Sequence, residues 1–298
     1  MPELDPLAAP LAVLRARGSC ALIPYVTAGY PTPDSTIPLL LALADAGADI
    51  IELGVPFSDP VADGPTIQRS SFAALQQNVT LAWTLDVLRE FRSGRGPRRD
   101  AASDESGGVS PAAPRDVPVV LFSYLNPILG YGVEAFIRDA ASAGAAGVLL
   151  TDLPAGADPA LERAFQAAPF AFIRLVAPTT PRQRVLRIAA DAQGFLYYVA
   201  SMGVTGARTT LRAQTLDEVA RLRELTTVPV AVGFGVSTPA QAAAIARVAD
   251  GVIVGSAIIN ALDDGGISGA ARLLRDMRAA MDSVAKDDPA EQAPQPVR

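Results

Sequence analysis

The sequence predicts a single-domain α/β fold, a (β/α)8 barrel, and three observations carry the prediction. Eight apolar, β-branched runs of strand length recur along the chain. Segments of helical period separate them, and 298 residues comfortably hold the roughly 250 that such a barrel needs. In order, the strand runs are ALIPYVTAG, ADIIELGVP, VPVVLFSY, GVLLTDLP, FAFIRLVAP, FLYYVAS, VPVAVGFGV and GVIVGSAII. Among the helical segments are TIPLLLALADAG, VEAFIRDAASAG, PALERAFQAA, PRQRVLRIAADA and PAQAAAIARVAD. Each parallel strand needs a crossover helix to bring the chain back, and eight such units close the sheet on itself. Burial on both faces explains why the strands are apolar throughout, and it leaves a doubly wound open sheet as the alternative.

Three segments lie outside the repeat. LAAPLAVLRARG, before the first strand, reads as a helix that plugs the bottom of the barrel. Residues Ser93 to Asp116, SGRGPRRDAASDESGGVSPAAPRD, have almost no apolar side chain larger than alanine and read as a disordered insertion before the third strand. The tail, residues 285–298, reads as disordered too, so the barrel domain is taken as 1–284.

Composition excludes several kinds of chemistry. There is no histidine, so histidine triads, histidine bases and histidine metal ligands are ruled out. The cations are 24 arginines and one lysine, Lys286 in the tail, which leaves no lysine for a Schiff base in the fold. A single cysteine, Cys20, forms no internal disulfide. Net charge of −6 and a pI near 4.8 argue against nucleic acid or an anionic membrane as partner. With no basic leader and no apolar run of about 18 residues, the expected location is the cytoplasm. Acid–base work must fall to carboxylates, tyrosines or water.

Active sites of such barrels are built at the C-terminal ends of the strands. Gly233-Phe234-Gly235 closes the seventh run and Gly255-Ser256 the eighth, each leading into a helix. Glycines let backbone N–H groups approach an anion, so these ends are candidate phosphate anchors; the plain alternative is a tight strand–helix turn. SMGVTGARTTLRAQ, Ser201 to Gln214, has the composition of a closing loop, or of a simple flexible connection. Glu52 interrupts an apolar strand, where desolvation raises a carboxylate toward neutrality, as proton transfer requires. The structural alternative is a salt bridge, for instance to Arg174. Asp59 and Asp63 lie on the loop that follows, and Asp63, before Gly64-Pro65, could equally be a turn or helix N-cap.

At this stretch the chain resembles a known family. ELGVPFSDPVADGPTIQ is similar to the signature of tryptophan synthase alpha chains, and YVTAGYP before it and LFSYLNPI, LLTDLP, GFLYYVASMGVTGAR, VGFGVS and VGSAII after it all occur in the family's order. The resemblance implies a (β/α)8 lyase that cleaves indole-3-glycerol phosphate to indole and glyceraldehyde 3-phosphate. It implies no cofactor in this chain. A pyridoxal-phosphate-dependent beta chain is the implied partner, in an alpha2beta2 heterotetramer with a tunnel for indole. Position by position, the family's catalytic glutamate and aspartate fall on Glu52 and Asp63. Phosphate contacts fall on Gly206, Phe234, Gly235, Gly255 and Ser256, and the tyrosine beside the glycerol on Tyr197. Tyr25 and Phe122 fall around the indole, and Asp59 falls where the site signals to the beta chain. Ala200 departs from the family, which is expected to carry serine there, and the insertion is longer than usual.

The inventory agrees with that chemistry. A retro-aldol cleavage needs an electron sink, and a protonated indole ring supplies its own, so neither lysine nor metal is required. Indole-3-glycerol phosphate synthase needs a lysine and a pentose-phosphate epimerase needs histidine ligands, both absent here. A stand-alone lyase releasing free indole, and a catalytically idle activator of a beta chain, remain as alternatives.

Overall fold

A computed structural model describes residues 5–94, 117–200, 213–233 and 235–284. Eight parallel strands close into a barrel in sequence order. They are β1 (Ala21–Thr27), β2 (Ile51–Gly54), β3 (Val119–Ser123), β4 (Gly147–Leu150), β5 (Ala171–Val176), β6 (Leu196–Val199), β7 (Val230–Gly233) and β8 (Gly251–Val254). Closure by the β1–β8 ladder, with Ala21 opposite Gly251 and Pro24 opposite Val254, decides against the open sheet. Helix α1 (Ala8–Ala16) precedes β1. The outer ring is α2 (Thr36–Asp45), α3 (Pro65–Gln76), α4 (Leu81–Arg92), α5 (Leu125–Tyr131), α6 (Val133–Ser142), α7 (Pro159–Gln166), α8 (Arg182–Ala190), α9 (Ala213–Leu225), α10 (Pro239–Val248) and α11 (Ser256–Asp282). Among the described residues no helix is long and apolar enough to cross a membrane.

Strand parity divides the core in two. Outward residues such as Val26, Leu53, Leu121, Val148, Val232 and Val252 pack under the helices. Inward residues, among them Ile23, Tyr25, Val120, Phe122, Leu149, Ile173, Tyr197 and Ile253, fill the barrel itself. The N-terminal segment closes the bottom as expected. Leu7 and Leu11 belong to the inner cluster, and a Cβ placed on Gly147 would lie 3.2 Å from Leu7 Cδ1. Asp5 secures this plug by accepting from the N–H groups of Gly194 and Leu7. The proposed insertion, past Gly94, and the tail from residue 285 lie outside the described residues.

Arg174 shows parity at work against an expectation. Its neighbours Ala171 and Ile173 point into the barrel, so Arg174 points out beneath α7 and donates to Glu162 Oε2 at 2.7 Å. The salt bridge considered between Arg174 and Glu52 is therefore not formed: the two side chains emerge on opposite faces of the sheet.

Candidate functional site

The register of β1, β2 and β3 sets Tyr25 beside Glu52 and Glu52 beside Val120, and two residue pairs further up Gly54 lies beside Phe122. Parity turns Tyr25, Glu52, Phe122 and Tyr197 inward near the strands' C-terminal ends. There they line a cavity of about 170 Å³ together with Asp63, Gly64 and Ile67. Gly235, Ile253, Gly255, Ser256 and Asn260 complete its far side. Eight of the ten site residues expected from the sequence thus share one cavity. The other two, Gly206 and Phe234, lie outside the described residues, as does most of the expected closing loop. Asp59 is exposed and does not line the cavity.

Glu52 is fully buried, and neither carboxylate oxygen has a hydrogen-bond partner among the described residues. Nothing offsets the loss of water, and desolvation raises its pKa to about 8. The group is therefore protonated at neutral pH. Asp63 differs. Burial raises it only to about 6, because the Tyr124 hydroxyl donates to Oδ2 at 3.0 Å and favours the charged form. Two carboxylates on one cavity thus straddle neutrality in opposite states.

The N-cap reading of Asp63 fails. Gly64 is the cap residue of α3 and no side chain caps that helix; the Asp63 carboxylate turns to Tyr124 instead. Tyr124 itself is fixed by accepting from Ala62 N–H at 3.0 Å and by packing its ring against Phe57, centroids 5.0 Å apart. Sequence reasoning missed Tyr124 although it stands inside LFSYLNPI. The available signal was a tyrosine just past the end of β3, where barrel strands present functional groups.

On the opposite wall, two helices begin near the cavity and only one is closed by its own residues. Helix α10 carries a capping box, with Thr238 and Gln241 bonding each other's backbone and Ser237 donating to Gln241 Oε1. Helix α11 has no side-chain cap at Gly255. The backbone N–H groups of Ser256 and Ala257 stand at the start of this helix, where the dipole favours an anion. Gly235 adds a turn at φ +85° that only glycine adopts easily.

Gly54 and Gly233 have another reason to be glycine. A Cβ on Gly54 would lie 2.1 Å from Tyr25 Oη, and one on Gly233 2.2 Å from Tyr197 Oη. Each tyrosine lies across a strand end that can carry no side chain. Gly233→Ala is therefore expected to swing Tyr197 into the cavity. Overpacking should cost about 1–3 kcal/mol of stability, and substrate KM should rise roughly tenfold, one displaced contact's worth. Thermal melts and steady-state kinetics check both; unchanged KM would mean Tyr197 does not shape the binding cavity.

Comparison with known proteins decides the family. The family model described as tryptophan synthase alpha chain matches residues 11–97 and 110–287. The chain belongs to the tryptophan synthase alpha chain family. A tryptophan synthase alpha chain of Xanthomonas euvesicatoria is 46% identical over 277 residues, covering 91% of this chain and 96% of that one. The crystal structure of the Legionella pneumophila alpha chain superimposes with a TM-score of 0.80 at 34% identity, covering 93% and 97%. A Mycobacterium tuberculosis tryptophan synthase structure gives 0.79 at 36% identity, covering 94% and 99%. As a tryptophan synthase alpha chain, the protein is a lyase serving as the alpha subunit in tryptophan biosynthesis.

Proposed function

We propose that this alpha chain cleaves indole-3-glycerol phosphate to indole and glyceraldehyde 3-phosphate by a retro-aldol step, with Glu52 and Asp63 as its catalytic groups. One observation carries the reading: a fully buried Glu52, without a hydrogen-bond partner among the described residues, shares a small cavity with Asp63 and with the uncapped start of α11.

Protonated Glu52 gives its proton to indole C3, making the ring an iminium-like electron acceptor. The carboxylate so formed takes the proton of the glycerol hydroxyl next to the ring. As that oxygen becomes the aldehyde, the bond from C3 to the glycerol carbon breaks and its electrons restore the aromatic ring. Glu52 ends protonated, as it began. Asp63, ionised, accepts from the ring N–H and stabilises the positive charge that develops there. Tyr25 and Phe122, edge to face at 5.2 Å, make the apolar walls for the indole, and Tyr197 lies beside the glycerol. Phosphate held by Gly235, Gly255 and Ser256, and by Gly206 and Phe234, turns remote binding energy into orientation at the reacting end.

This scheme fixes a pH profile. kcat/KM should rise as pH passes about 6, when Asp63 ionises, and fall as it passes about 8, when Glu52 loses its proton. A profile flat from pH 5 to 9 would refute the assignment of protonation states.

Partnership with a beta chain, as an alpha2beta2 heterotetramer with pyridoxal phosphate in the beta chain, completes the proposal, and the cytoplasm is its setting. Three large apolar side chains are left in water on the segments that follow β2 and β3: Val61, 75% exposed, Phe72, 61% exposed, and Leu129, 53% exposed. These favour a partnered chain over a stand-alone lyase. The deciding experiment measures indole release by the purified chain while the cognate beta chain is titrated in. Slow release that rises with beta supports both parts; fast release indifferent to beta supports a stand-alone lyase; no release in either case overturns the catalytic reading.

A further inference from the structure

A line of hydroxyl groups leaves the cavity and ends on α3. Tyr25 Oη lies 3.3 Å from Thr27 Oγ1, Thr27 Oγ1 lies 2.7 Å from Ser70 Oγ, and Ser70 Oγ donates to the Ile67 carbonyl at 2.9 Å. All three residues are buried. The direction of the whole line follows from its last link. A carbonyl only accepts, so the single Ser70 proton is spent on Ile67. Ser70 must then accept from Thr27, and Thr27, its own proton used, must accept from Tyr25.

Two consequences follow. First, the Tyr25 hydroxyl proton points away from the cavity, so Tyr25 offers the substrate an apolar ring and no donor. Second, the line grips the N-terminal half of α3, and the reacting carboxylate of Asp63 sits on the loop that leads directly into that helix. Gln68 Nε2, in the same half of α3, donates to the Asp63 carbonyl at 2.8 Å. Ile67 lines the cavity, and its Cδ1 lies 3.4 Å from where a Cβ on Gly255 would stand. Two further bonds hold α3 to the preceding loop but do not reach the barrel wall: Ser71 Oγ accepts from Phe57 N–H and donates to the Phe57 carbonyl.

We infer that Thr27 and Ser70 are positioning residues: their buried hydrogen bond locks the N-terminal half of α3 to β1 and so fixes the adjoining Asp63 against the substrate ring. This rests on the proposed cleavage reaction. Neither residue lines the cavity, so any effect on turnover must pass through α3 or through Tyr25, and the Tyr25→Phe variant separates the two routes.

The test is steady-state cleavage of indole-3-glycerol phosphate by the full chain with its beta partner, for Ser70→Ala, Thr27→Val, Thr27→Ser and Tyr25→Phe. Wild-type activity is read first, and its absence would remove the catalytic reading rather than this one. Given activity, Ser70→Ala and Thr27→Val should each lower kcat about tenfold, since small displacements of a reacting group are costly, with KM within about threefold. Thr27→Ser restores the donor and should restore kcat. Tyr25→Phe, which leaves the Thr27–Ser70 bond intact, should lose less than either. Wild-type kcat in Ser70→Ala with only a lowered melting temperature would overturn the inference and make the bond purely structural. A Tyr25→Phe loss larger than that of Thr27→Val would also overturn it, by showing that the Tyr25 hydroxyl acts on the substrate.

Discussion

Glu52→Gln should lower turnover by about 10²–10⁴-fold, the range for loss of a general acid–base group, while flattening the pH dependence of stability. Glutamine keeps the size and shape of a protonated glutamate, so the cavity and KM should change little. It has no proton to cycle between indole C3 and the hydroxyl. The stability effect has a definite sign. In the folded protein Glu52 titrates at about 8, against 4.5 for an exposed glutamate. Below pH 4.5 both states are protonated and the group contributes nothing. Between 4.5 and 8 the unfolded chain ionises while the folded one holds its proton, so stability falls with rising pH. The accumulated cost at pH 8 is on the order of a few kcal/mol. Glutamine removes that dependence but leaves an amide with no partner, itself costing about 1–3 kcal/mol. The variant should therefore match or fall below wild type at pH 5 and gain on it by pH 8.5. Denaturant unfolding at the two pH values measures this; parallel behaviour of the two proteins would mean that Glu52 is already ionised in the fold.

That Glu52 was legible in the sequence, and its surroundings were not, has a physical reason. A carboxylate inside an apolar strand breaks the local pattern, and desolvation needs no knowledge of neighbours. The barrel was legible on the same terms, because strand and helix periods are local. Closure was not: an open sheet uses the same strands, and only the pairing of Ala21 with Gly251 excludes it. The partner of Asp63 is 61 residues away at Tyr124, and that of Thr27 is 43 residues away at Ser70, distances at which no local pattern speaks. Gly54 and Gly233 show the same limit. Their glycines answer tyrosine hydroxyls arriving from the neighbouring strand, whereas the sequence offered Gly233 only as a phosphate anchor or a turn and gave no reason for Gly54. Arg174 was misplaced for a different reason. Alternation along AFIRLV sends it outward beside inward Ile173, and a one-residue step in a strand changes the face.

Asp63→Asn should cost about 10²–10³-fold in kcat, near 3 kcal/mol of transition-state stabilisation, the size of one lost electrostatic contact in a closed site. The hydrogen bonds around it say why the loss should be severe for so small a change. Tyr124 already accepts from Ala62 N–H, so its own proton goes to position 63. An asparagine there would satisfy Tyr124 with its carbonyl oxygen, which turns the amide NH2 toward the cavity. A donor would then face the indole N–H, itself a donor carrying growing positive charge. Tyr124→Phe should be milder, because the carboxylate survives and only its orientation loosens. The two variants also separate on pH. In Asp63→Asn the limb of kcat/KM near pH 6 should vanish; in Tyr124→Phe it should move upward, since the bond that favours the charged form is gone. If Asp63→Asn kept both wild-type kcat and the acid limb, charge stabilisation at the ring nitrogen would have to come from another group.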